Sequence, residues 1–121
     1  MKDYASMSDR EINMHVASII YPESTVIESR SRPPCAFVTG SIPDCWVDYC
    51  NNPEDAWPII LQNRISVIFD SSDESDESEE SDEWVKACVG GEEYFISYHY
   101  CHRALRAAMI VFLMMKEGEN D

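Results

Sequence analysis

Three groups of residues in this chain have the types and spacing that could carry chemistry. The first is Cys45 and Cys50 with Cys88, His99, Cys101 and His102. Structural zinc sites pair their ligands two to four residues apart, and neither a CxxC nor an HxxxH pair occurs. Cys45 and Cys50, with four residues between them, have only a permissive spacing, and small buried hydrophobes are the simpler reading of the cysteines. A Cys/His nucleophile needs a thiol made acidic beside a histidine. Cys101 next to His102 at a helix start is the best-placed pair, but no partner motif and no phosphate-cradling glycine loop accompanies it.

The second group is the run Asp70 to Glu83, centred on Asp73, Glu74, Asp76, Glu77, Glu79 and Glu80. Nine of the chain's 23 acids lie in it, so of the net charge of −14 the rest of the chain carries only −5. The run has no apolar residue with which to offset the entropy of ordering, and its like charges repel, which predicts a disordered loop. At about 3.3 Å of rise per residue, its carboxylates lie roughly 5 Å apart, near the ~3.4 Å charge spacing of a nucleic-acid strand. It is thus either a solubilising loop or an acidic decoy for a basic groove. An EF-hand reading fails for want of the loop glycine and the ligand spacing. Phosphorylation of its five serines would add charge, but no kinase motif is evident.

The third group is His102, Arg103 and Arg106, whose charges oppose the dipole at the start of the last helix and so call for a carboxylate or an anion. A structural pair of Arg106 with Glu54 or Asp55, locking two helices together, is the expectation. An anion or partner contact is the functional alternative, as is the acidic run folding back on this basic end as a displaceable plug. Trp46, Tyr49 and Trp57 flank the helix cap at Asn52; such residues are commonly core, and interface anchors where exposed.

The elements that must position these residues are legible. Asn52 is a good N-cap, Pro53 a good first helical residue, and Glu54 and Asp55 complement the dipole. Trp57, Ile60 and Leu61 fall at helical spacing on a face expected to be buried, with Pro58 shortening, bending or restarting the helix. A strand from about Arg64 to Phe69 follows. Upstream, Ser8-Asp9-Arg10-Glu11 has the capping-box form and opens a helix from about Asp9 to Ile20, with Ile12, Val16, Ile19 and Ile20 as its stripe. Thr25–Ile27 and Ala36–Thr39 read as short strands, and Cys45–Tyr49 as a brief strand or an approach to the cap. Trp84–Val89 and Glu92–Tyr98 form a hairpin about Gly90-Gly91. The last helix, about His102 to Lys116, is apolar on all sides, so it is central or meets another subunit; Gly118 reads as its stop.

Two of these stretches resemble a known family. Asp48 to Ile60 with Asn63-Arg64-Ile65-Ser66, and Leu105 to Glu117, are similar to the central motif and C-terminal helix of the NinX-type family of tailed bacteriophages and prophages. The resemblance implies an accessory protein acting in the bacterial cytoplasm, and brings no activity with it. The family places Asn-Pro before the Leu-Arg of the last helix where this chain has Arg103-Ala104, so the helix start is expected to differ.

At 121 residues the chain is one domain's worth, 1–121, of α+β class. The expectation is a small, mainly antiparallel sheet packed by about three helices, with 70–83 as a disordered insertion. The acidic balance disfavours direct binding to nucleic acid or an anionic membrane. The N-terminus has no apolar h-region, and the longest apolar run, Ala107 to Met115, is too short to span a bilayer. The five cysteines are read as reduced thiols. The first function class is therefore a non-enzymatic factor that binds a host or phage protein, with a basic nucleic-acid-binding protein as the decoy's target. Its candidate contacts are Trp46, Asp48, Tyr49, Asn52, Asp55, Trp57, Arg106 and the six acids Asp73 to Glu80 named above. No cofactor is expected. A small metal- or Cys/His-dependent enzyme or nucleic-acid processing factor is the second class, and a structural homodimer on the last helix the third.

Overall fold

The computed structural model describes residues 3–71, 83–90 and 93–119. A 3-10 turn at Tyr4–Ser6 leads into helix α1 (Asp9–Ile20) and strands β1 (Thr25–Glu28), β2 (Ala36–Thr39) and β3 (Cys45–Val47). Helix α2 (Pro53–Asn63), strands β4 (Ser66–Ser71), β5 (Glu83–Val89) and β6 (Tyr94–Tyr98), a 3-10 turn at Cys101–Arg103 and helix α3 (Ala104–Glu119) complete the order. The class is α+β as expected, with the strands divided into two antiparallel sheets, β1-β2-β3 and β4-β5-β6.

The capping box forms: the Glu11 N–H donates to Ser8 Oγ at 3.1 Å, and the Ser8 N–H to Glu11 Oε1 at 3.2 Å. The buried face of α1 is Ile12, Asn13, Val16 and Ala17, turned by one residue from the expected stripe, so Ile19 and Ile20 are exposed. In α2, Asn52 Oδ1 caps the Glu54 N–H at 3.1 Å, and the helix runs unbroken through Pro58. A proline this near the N-terminus removes a single ladder bond, toward the Glu54 carbonyl. The helix closes with Arg64 at φ 54, in the left-handed conformation, and the Ile65 N–H donating to the Ile60 carbonyl at 3.0 Å. This closure leaves only Arg64 and Ile65 between the helix and β4.

Helix α3 is the centre. Its eight consecutive residues Arg106 to Leu113 are buried, against α1 and α2 on one flank and against β4, β5 and β6 on the other. Its second apolar face is thus buried within the chain, which removes the reason for expecting another subunit there. Gly118 lies inside the helix rather than ending it. A Cβ there would stand 2.2 Å from Tyr94 Oη, so the glycine admits the tyrosine of β6.

Asp70 and Glu83, the two ends of the acidic run, belong to paired strands, with Asp70 opposite Trp84 and Ser71 opposite Glu83. The run therefore connects a β4–β5 hairpin, and the loop expected for the remainder, 72–82, lies outside the described residues. The β5–β6 turn is longer than the glycine pair: Val89 stands opposite Tyr94. Gly90, at φ +65, accepts the Glu93 N–H on its carbonyl at 3.2 Å, while Gly91 and Glu92 lie outside the described residues.

Candidate partner-binding surface

The Asp48 to Asp55 motif is a polar weave that fixes the start of α2. Asp55 Oδ2 accepts the Asp48 N–H at 2.9 Å and Asn52 Nδ2 at 3.2 Å. Asp48 Oδ1 accepts from Asn51 at 3.1 Å and from the buried Asn13 at 2.9 Å. Asn13 also donates to the Pro34 carbonyl at 2.9 Å and accepts the Cys50 N–H at 3.1 Å. Buried polar groups without partners are costly, so α1, the β1–β2 connection and α2 are held in one relative placement. Asp48 and Asn52 are thereby engaged in structure.

Arg106 does not pair with Glu54 or Asp55. It is 5% exposed and turns toward the N-terminal segment. Its Nη1 meets Asp9 Oδ1 at 2.6 Å, its Nε donates to Tyr98 Oη at 3.0 Å, and its Nη2 donates to the carbonyls of Ala5 at 3.2 Å and Met7 at 2.5 Å. Arg103 Nη2 meets the same Asp9 oxygen at 2.6 Å. The acid that satisfies this basic helix start comes from the capping box of α1, because α1 and not the start of α2 lies against it. Burial works to raise the Asp9 carboxyl, but hydrogen bonds from Arg103, Arg106 and Asn51 outweigh it and hold it below the ordinary range. Arg103 gives the helix start its second guanidinium.

Tyr49 is 3% exposed, and its hydroxyl has no hydrogen-bond partner among the described residues. Burial pushes its phenol above the ordinary range, and the acidic groups bearing on it are Tyr21, Asp55 and Cys45. Beside the tyrosine a cavity of about 210 Å³ opens. Val47, Tyr49 and Ile59 are its buried floor, Tyr21 and Asp55 are half-buried walls, and Ile20, Glu54 and Gln62 are an exposed rim.

Two apolar features remain at the surface. The buried face of α2 is Ala56, Ile59 and Ile60, and Trp57 and Leu61 point outward, 59% and 63% exposed. The expectation that both are core is thus corrected: of the trio Trp57, Ile60 and Leu61, only Ile60 is buried. With Arg64 and Val67 they line a groove of about 310 Å³ beside β4, which is an edge strand of its sheet. On the other sheet, Ile27, Phe37 and Trp46 stand in register across the outer face. Trp46 is 39% exposed, 5.2 Å from Phe37 between ring centroids, with Arg32 stacked 4.2 Å over it. Leu61, Arg64, Phe37 and Arg32 were not among the sequence candidates. The i, i+4 spacing of Trp57 and Leu61 was the signal for the first, misread as a core stripe. Of the acids, Asp73, Glu74, Asp76, Glu77, Glu79 and Glu80 lie outside the described residues.

All five cysteines are thiols. Burial raises Cys35, Cys45 and Cys50, the last to about 12, which favours the protonated thiol over the nucleophilic thiolate. Cys101 borders a depression with Phe69, Asp70 and Glu83, and His102 packs on Tyr100, 5.7 Å between ring centroids. Among the described residues, no three His, Cys, Asp or Glu side chains converge in an arrangement that could hold a metal, and no helix is long and apolar enough to cross a membrane.

The fold is that of a small α+β protein, and among the described residues its surface presents the exposed apolar and aromatic side chains Trp57, Leu61, Ile27 and Trp46. The family model described as "Bacteriophage P22, NinX" matches residues 3–116, and the chain belongs to that phage family. No curated protein and no solved structure matches it.

Proposed function

We propose that this phage protein is an accessory factor that acts by binding a host or phage protein in the bacterial cytoplasm, with no catalytic step of its own. The observation that carries the reading is the outward pair Trp57 and Leu61, one turn apart on a helix whose other side is core. Together with β4, an edge strand of its sheet among the described strands, it offers an apolar anchor site next to a strand edge, two recurring elements of protein recognition. The net charge of −14 selects for a basic partner and speeds its approach. The acidic run, which begins at Asp70 near the end of β4, supplies most of that charge, and it suits a nucleic-acid-binding protein whose groove it would occupy as a decoy.

The test is affinity capture from bacterial lysate at low and high salt with three proteins. They are the intact chain, Trp57→Ala/Leu61→Ala, and a chain in which residues 72–82 are replaced by Asn-Gly, a two-residue turn that rejoins Ser71 opposite Glu83. Exposed substitutions leave stability within about 0.5 kcal/mol, whereas Ile60→Ala, on the buried side, costs about 2–5 kcal/mol. Loss of a captured protein with the folded double variant supports the reading. Loss of capture by the shortened chain at low salt, with the intact complex dissolving at high salt, supports the decoy. A partner retained by the double variant refutes the α2 contact.

A further inference from the structure

We propose that the chain forms a twofold homodimer in which β4 of one copy pairs antiparallel with β4 of the other, and the Phe69 ring of each enters the groove beside the other's Trp57 and Leu61. Among the described strands β4 is an edge of its sheet, and an edge can be extended by a strand from a second chain. Phe69 stands opposite Val85, which is 0% exposed, so it lies on the buried face of the sheet; yet it is itself 62% exposed. Trp57 and Leu61 on α2, exposed to the same extent, line the groove beside the same strand. An aromatic residue on the inward face of an edge strand, next to two uncovered apolar side chains, lacks the cover that one more strand would bring.

A second copy fits this edge by shape and by charge. Pairing about a twofold axis at Ile68 puts Phe69 of one copy opposite Val67 of the other, and Val67 lines the groove. The groove's volume of about 310 Å³ is roughly ten times the ~30 Å³ a water occupies in the liquid, room for a phenyl ring. The strand is preceded by a cation and ends acidic: Arg64, whose side chain makes no ion pair among the described residues, comes just before it, and Asp70 lies near its end. Antiparallel pairing lays each start along the other's end, with Arg64 in reach of the second copy's Asp70 on the diagonal. The two acidic runs then begin at opposite ends of the paired strands, about 20 Å apart at ~3.3 Å per residue, well beyond the ~8 Å screening length of physiological salt.

Trp57, Leu61 and Phe69, each more than half exposed, and Ile68 at 42% offer on the order of 400 Å² of surface per copy, taking ~150–250 Å² for an aromatic side chain. With the paired backbone added, two copies approach the ~1,200 Å² at which specific interfaces begin, the size of a weak, reversible association. The dimer stands without the protein-binding reading above; where both hold, a partner that uses Trp57 and Leu61 displaces the second copy.

The test is analytical ultracentrifugation of the purified full-length chain, thiols kept reduced, from about 1 µM to about 1 mM, the range that a small interface calls for. The mass is expected to rise with concentration from one chain's 13.9 kDa toward two. Phe69→Ser is expected to weaken association at least about tenfold, as the loss of an interface anchor does. Its urea midpoint at about 1 µM, where the chain is monomeric, should not fall, since the ring is exposed. Arg64→Glu and Asp70→Lys should each weaken self-association, because reversal sets like charges together at both ends of the paired strands. Mixed one to one, these two variants should associate more tightly than either does alone, since the mixed dimer has opposite charges at each end. A chain monomeric to the top of the range overturns the dimer. A dimer untouched by Phe69→Ser overturns the β4 edge, and a mixture no tighter than its components overturns the antiparallel pairing. No lysate enters this experiment, so it fails or succeeds separately from the capture.

Discussion

Replacing Arg106 by alanine is expected to cost this protein a large fraction of its stability, although the residue belongs to no catalytic arrangement. The Arg106 side chain is 6% exposed and Asp9 18%. The substitution removes the 2.6 Å contact to Asp9 Oδ1 and orphans Tyr98 Oη and the carbonyls of Ala5 and Met7. Removing one partner of a buried ion pair costs about 3–5 kcal/mol, a third or more of the ~5–15 kcal/mol that holds a domain together. With a urea slope of about 1–3 kcal/mol/M for a chain of this size, the midpoint should fall by about 2 M. Arg106→Lys keeps the charge but cannot reach acceptors in three directions, so it should recover less than half of the loss. The deciding assay is a double-mutant cycle. Arg106→Ala with Asp9→Ala should show a coupling of at least ~1 kcal/mol, while Arg106→Ala with Asp55→Ala should be additive within ~0.5 kcal/mol. The exposed Arg10–Glu28 pair, 3.2 Å apart, is the control and should couple by less than ~1 kcal/mol. Additivity between positions 9 and 106, or stronger coupling of 106 to 55, would refute the account of α3 anchored on α1.

Two further outcomes follow from the packing and the titrating groups. Gly118→Ala should destabilise despite alanine's ~1 kcal/mol advantage in a helix, because its Cβ meets Tyr94 Oη at 2.2 Å. In a Tyr94→Phe background the same change should be neutral or stabilising, and equal effects in both backgrounds by urea denaturation would exclude the contact. Stability should also fall in alkali: Cys50 is raised to about 12 by burial and then by Asp9, and Tyr4 to about 12 by burial and then by its Glu117 bond. Both are acids that the unfolded chain ionises first, so their contribution is whole below about pH 8.5, the ordinary thiol value. It is lost as pH rises toward 12. Cys50→Ala and Tyr4→Phe should each flatten the decline in urea midpoint between pH 8 and 11, and an unchanged slope would remove those groups from it.

Local chemistry determined most of what was legible in the chain. The Ser8–Glu11 capping box, the Asn52–Pro53 start and the β-branched strand segments act over a few residues, so their elements appear where the sequence places them. The apolar girth of α3 likewise identified it as the centre, because a helix without a polar face must be enclosed. The same residues carried the family resemblance, and with it the phage class. Other features depended on which elements became neighbours. Trp57 and Leu61 have the spacing of a core stripe, yet α2 is packed into the protein with Ala56, Ile59 and Ile60 inward, which turned the pair to solvent. Arg106 announced a need for a carboxylate but not its source, and the approach of α1 to α3 decided for Asp9, 97 residues away. Gly118 has the look of a stop in sequence and became a seat for Tyr94 only once β6 crossed α3. Nor does spacing along the chain bring Tyr21, Tyr49 and Asp55 around one cavity; that required α1, β3 and α2 to meet, since tertiary packing sets directions and distances that local preference leaves open.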